Sequence, residues 1–136
     1  MDFITAEQFL QQPKEVQKVF IDWWHKNIKA YDLYKPKHVW GDIICLRDDK
    51  KYIEAVKMCI DDAAIPLLAE SQLRHFIEDK TDCIIRSNPY KNHEYKWVYL
   101  IDLIPRNEDT RAYSFKEIQL EDYLQTLWQV ACKIAL

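Results

Sequence analysis

Residues 65–82 read IPLLAESQLRHFIEDKTD, and the rest of the chain is organised around them. An apolar lead-in, IPLLA, runs into a helical pattern in which Leu73, Phe76 and Ile77 fall at i, i+3 and i+4. One face is therefore apolar, while Arg74, Glu78, Asp79 and Lys80 stay in water. The closing TD leads into a strand beginning CIIRS. The segment is a packing element: strand signals meet an amphipathic helix without the regular alternation of βαβ units, which points to an α+β fold.

The flanks extend that pattern. Thr5 with Gln8 three positions on forms a capping box and predicts a short helix to about Gln11. Pro13 opens a second helix over PKEVQKVFIDWWHKNI, where Val16, Val19, Phe20, Trp23 and Trp24 make a helical stripe. DIICLR reads as a strand; YIEAVKMCI suits two periods, Tyr52, Glu54, Val56 and Met58 lining one side of a strand or Ile53, Val56 and Ile60 fitting a helix, and the expectation is the strand, paired with residues 43–47 as a hairpin across RDDKK. CIIRS and EYKWVYLIDLI follow as strands around a turn at NPYKNH, the longer one central because both its faces are partly apolar. Asp102 inside it is the one oddly placed carboxylate, expected to be hydrogen-bonded or edge-facing. RAYSFKEI adds an edge strand, and QLEDYLQTLWQVACKIAL closes the chain as an amphipathic helix. The expectation is a single compact α+β domain over residues 1–136, with a mostly antiparallel sheet of three to five strands and about three amphipathic helices.

Composition bounds the function. One Gly in 136 residues leaves no phosphate-cradling loop, and four dispersed Cys with no CxxC read as buried thiols, not a disulfide framework. The four His share no zinc-site spacing, so neither a metal nor a cofactor is expected. No catalytic constellation is visible, and the chain reads as a non-enzyme. No apolar run approaches a membrane span, and MDFITAEQFLQQ lacks the character of a signal peptide. A net charge of −3 and a pI of 5.8 argue against direct nucleic-acid binding. Charge is uneven: Lys26, Lys29, Lys35 and Lys37 against Asp32 give +3 over residues 23–40, and −6 for the rest.

Two stretches are therefore candidates for partner or ligand contact. The first holds Tyr34, Lys35, Lys37, His38 and Trp40, an aromatic and basic run read as a loop around Pro36. The second holds Arg86, Tyr90 and Lys91 at the NPYKNH turn.

LLAESQLRHFIEDKT and LWQVACKIAL, with the opening PKEVQKVFIDWW, resemble small phage- and prophage-encoded proteins of clostridial-type Gram-positive bacteria, which carry similar L-R-x-F-I-E-D and W-x-V-A-C-x-I-A runs. The likeness covers about half the chain, leaving out residues 31–64 and 86–116. Ala69 stands where that group usually has a helix-capping Thr. The group has no active-site motif, so no functional residue carries over. The resemblance implies only a genomic context, a phage accessory protein acting in the host bacterial cytoplasm; together with the small size and the lack of visible chemistry it favours stoichiometric binding to a host protein, with an anti-CRISPR-type inhibitor of an immune effector as the first expectation. A protein that sequesters a nucleotide signal, and a phage structural module built as a homodimer, are the alternatives.

Overall fold

The computed structural model describes residues 2–37, 42–59, 64–107 and 112–136. Their elements, in chain order, are α1 (Ala6–Leu10), α2 (Lys14–Asn27), β1 (Leu33–Pro36), β2 (Ile44–Cys45), α3 (Lys50–Cys59), β3 (Ala64–Pro66), α4 (Glu70–Thr81), β4 (Cys83–Lys91), β5 (Trp97–Pro105), β6 (Tyr113–Ser114) and α5 (Tyr123–Ala135). Every strand pairing is antiparallel, in two three-stranded sheets ordered β2-β1-β3 and β4-β5-β6, and the fold is α+β. The chain divides into two compact units, Phe3–Leu68 and Met1–Asp2 with Ala69–Leu136.

In the first unit α1 carries the expected capping box: Thr5 Oγ1 accepts from Gln8 N at 3.2 Å and Gln8 Oε1 from Thr5 N at 3.2 Å. The buried Gln17 of α2 donates to the carbonyls of Leu10 and Gln12, tying α2 to the end of α1. Phe9, Val16, Phe20, Trp23 and Trp24 are all buried, so both tryptophans are core residues. Buried Asp32 is the internal anchor, accepting from Trp24 Nε1 at 3.1 Å and from Lys29 N at 3.0 Å.

Two strand expectations need correction here. YIEAVKMCI is helical, because Asp49 acts as a cap: its Oδ1 accepts from Lys51 N at 3.0 Å and Tyr52 N at 3.3 Å, so RDDKK starts a helix and makes no hairpin turn. Along α3, Ile53 and Val56 are half-buried, whereas Glu54 and Met58, which a strand would place beside Val56, are exposed. Conversely, the loop around Pro36 holds β1, the middle strand of its sheet, pairing Leu33 with Cys45 and Lys35 with Ile65. A four-residue strand ending in Pro is too short to show a period.

In the second unit α4 and α5 pack on each other and on the sheet. Leu73, Phe76 and Ile77 of α4 are completely buried, as the sequence stripe requires, and so are Leu127, Val130 and Ala131 of α5. Full burial of each large side chain stabilises by about 1.5–3 kcal/mol, which makes this helix pair the main energetic element of the unit. β5 is central and β6 lies at the edge, as expected.

The turn expected at NPYKNH lies further along the chain, at residues 92–96, for a reason written in the ladder. Tyr99 N donates to Leu120 O and Phe115 N to Ile101 O, so the odd-numbered residues of β5 turn their backbone groups away from β4. Pro89, opposite Tyr99, consequently directs its nitrogen to the outer side of β4, where no ladder bond is lost. The strand runs on through Pro89 to Lys91, leaving only residues 92–96 for the turn.

Candidate functional site

The β4–β5 hairpin carries the most exposed aromatic group of the second unit. Asn92 builds its turn: Oδ1 accepts from Glu94 N at 2.9 Å and Lys96 N at 3.1 Å, while its backbone N donates to Lys96 O. Closing a right-twisted hairpin this way needs one residue in the left-handed region, and that residue is Tyr95 at φ 60°, where glycine is favoured. The residue is 82% exposed. Next to it Trp97 is 60% exposed and faces Lys91 directly across the pair, with the ammonium 5.5 Å from the indole centroid.

The aromatic surface continues along the same face of β5. Tyr99 lies two residues on and packs its ring 5.1 Å from that of Tyr123, the first residue of α5. Asp122 caps that helix by accepting from Gln125 N, which fixes Tyr123 over the sheet. The Tyr123 hydroxyl accepts from Arg74 Nη1 at 2.5 Å and shares a 2.8 Å hydrogen bond with Ser87 Oγ. A cleft of about 480 Å³ opens beside Tyr123 and Arg74, at the first turns of α4 and α5. Ala69 has no acceptor for those turns, so α4 makes only the returning half of a capping box, Ala69 N to Gln72 Oε1 at 2.9 Å.

Trp97, Tyr99, Tyr123 and Arg74 thus form a strip of the residue types that dominate binding energy at protein interfaces. Lys96 contacts Glu94 and Glu121 at 4.0 and 3.8 Å, but these pairs are exposed and contribute little. Hydroxyls, indole and guanidinium here are suited to apolar contact and hydrogen bonding.

The residues singled out from sequence are distributed differently. Arg86 sits on the opposite face of β4 and pairs with Asp102 at 3.3 Å, which Asn88 also reaches; Asp102 is a hydrogen-bonded carboxylate. Tyr90, opposite Val98, is half-buried on that same face. Lys91 alone of the three joins the strip, through Trp97. In the first unit, Tyr34 is a core side chain, 8% exposed, with its ring 6.0 Å from Trp24. Burial and a hydrogen bond with Tyr52 push its hydroxyl up to about 12, and the burial itself removes the ring as a surface stacking group. Lys35 is exposed beside a cavity of about 160 Å³ that Phe3, Ile43 and Leu67 help to line, and Lys37 is half-buried. His38 and Trp40 lie outside the described residues.

The sequence pattern puts Tyr95, Trp97 and Tyr99 on one face of the longer strand, but it does not show that Tyr123 and Arg74 adjoin them. Register across the hairpin was needed to see Lys91 meet Trp97.

Among the described residues no three His, Cys, Asp or Glu side chains gather as a cation would require, and no helix is long and apolar enough to cross a membrane. No family model, curated protein or solved structure matches the chain.

Proposed function

We propose that this protein acts by stoichiometric binding to a bacterial host protein, with the hairpin strip from Tyr95 through Trp97, Tyr99 and Tyr123 to Arg74 as its contact surface. The observation that carries the reading is the exposure of two large aromatic residues two positions apart, Tyr95 and Trp97, on a hairpin whose turn is held by Asn92. Leaving two such rings in water forgoes their burial, and a partner that covers them recovers it. Preorganisation by the turn reduces the ordering entropy that binding costs. The sequence resemblance to phage and prophage proteins supports, through the genomic context it implies, an immune effector of the host as the partner, inhibited in the manner of an anti-CRISPR protein.

Affinity capture from a clostridial-type host lysate, with the wild-type chain and Trp97→Ala side by side, tests this. The expected result is recovery of an immune nuclease by the wild type alone, and inhibition of that purified nuclease saturating at one equivalent. Recovery of no immune protein, or equal recovery by Trp97→Ala, removes the reading.

A further inference from the structure

The β4-β5-β6 sheet has a second face, turned away from the hairpin strip and from α5. Ile85, Ile101 and Leu103, at odd positions, are buried on the α5 side, where Ser87 and Tyr99 meet Tyr123. At the even positions Ile84, 50% exposed, stands directly opposite Ile104, 39% exposed, with half-buried Leu100 further along. Between the isoleucines and Leu100 lie Arg86 and Asp102, opposite each other in the ladder and joined at 3.3 Å. They are the only charged side chains that β4 and β5 turn to this face.

Isoleucine suits a strand at any exposure, and that accounts for one such side chain in water. It does not account for two held opposite each other on the open face of an antiparallel sheet, where alternation ordinarily places polar residues. The charge on the face selects what covers it. A chain of net charge −3 approaches its own copy against repulsion wherever a face carries excess charge; one cation and one anion leave this face with none. The two charges are also placed to match themselves. With a two-fold axis parallel to the strands and midway between β4 and β5, the β4 of each copy lies over the β5 of the other. Arg86 of each copy then stands over Asp102 of the other, and Ile84 over Ile104.

We propose that this face binds a second copy of the chain, in an isologous pair of stacked sheets centred on Arg86 and Asp102. Trp97 and Tyr99 lie on the other face of β5, so the pairing does not depend on the host-protein reading. The ladder is nine pairs, about 30 Å long at about 3.4 Å per residue, which puts the contact at the lower end of specific interfaces and its dissociation constant in the micromolar range. Sedimentation velocity of the full chain from about 5 to about 500 μM tests it. The expected result is a monomer–dimer equilibrium, with the dissociation constant raised about tenfold or more in Ile84→Ser. Arg86→Asp, whose face has two negative charges, and Asp102→Arg, whose face has two positive ones, should each stay monomeric alone and pair with each other when mixed in equal amounts. If either charge variant does not fold by circular dichroism, Ile84→Ser and Ile104→Ser decide the matter. A monomer throughout, assemblies that pass beyond the dimer, unchanged association in the isoleucine variants, or a mixture of folded charge variants that stays monomeric each overturns the proposal.

Discussion

Tyr95 concentrates the argument at the scale of one residue. A non-glycine residue in the left-handed region costs about 1–2 kcal/mol relative to glycine, and this one, 82% exposed, recovers little of that by burial. Tyr95→Gly should leave stability unchanged or raise it by about 1 kcal/mol, since relief of the turn outweighs the added freedom of the unfolded chain. The same change should abolish partner capture. Urea unfolding and the capture assay, run on one preparation, check both halves; a loss of stability as large as that of a core truncation would refute the assignment of strain.

Asp32 makes a different prediction. Desolvation by burial raises its carboxyl above the usual value of 3.8, against the lowering by the Lys29 and Trp24 hydrogen bonds. The folded state therefore holds this proton more tightly than the unfolded state. Its stabilising contribution is complete below the unfolded pKa and is lost as pH rises through the folded one. Asp32→Asn keeps an acceptor for Trp24 Nε1 and Lys29 N and has no charge to desolvate. Its melting temperature should match the wild type near about pH 4 and exceed it near about pH 7. A constant difference between the two across that range would contradict the burial argument.

Among the elements, α4 was legible from sequence and is also the one left incomplete. Leu73, Phe76 and Ile77 announced its buried face because three large apolar residues at helical spacing admit few other arrangements. Its first turn has Ala69 where a hydroxyl would cap it. Ala69→Thr should raise stability by about 1 kcal/mol, measured by chemical denaturation, because the cleft alongside has room for the added hydroxyl. α3 was illegible for the opposite reason: its residues suit both periods, and the deciding group was Asp49, whose side chain served equally well as a turn residue or a cap. The contact strip was hidden more deeply. Arg74, Tyr99 and Tyr123 lie on three elements, and only strand register together with the first turn of α5 brings them onto one surface. Tyr34 looked like a surface aromatic because Lys35 follows it; in a strand, adjacent side chains point to opposite faces, which puts the ring in the core and the ammonium in water.

At the scale of the molecule, the net charge of −3 distinguishes two ways of engaging an immune effector. A protein that imitates nucleic acid in a basic groove binds through many screened charges, and its affinity falls steeply with salt. Docking by an aromatic hairpin depends chiefly on apolar burial. Raising sodium chloride from about 0.1 to about 0.5 M should therefore weaken the captured complex by less than about threefold, read by calorimetry or surface resonance. A loss of a hundredfold or more would transfer the contact from the aromatic strip to the acidic surface.

Pro89 has a bearing on how copies of the chain behave when crowded. Among the described residues β4 has no strand on its outer side, and nine residues offer a rim long enough for a neighbouring molecule to zip onto. A pyrrolidine facing outward supplies no proton at one position of that rim, so a growing stack misses a rung at every copy. Pro89→Thr, which restores the rung without touching the native ladder, should shorten the lag before thioflavin-positive fibrils appear under mild destabilisation; one ring keeps the sheet from becoming a template for itself.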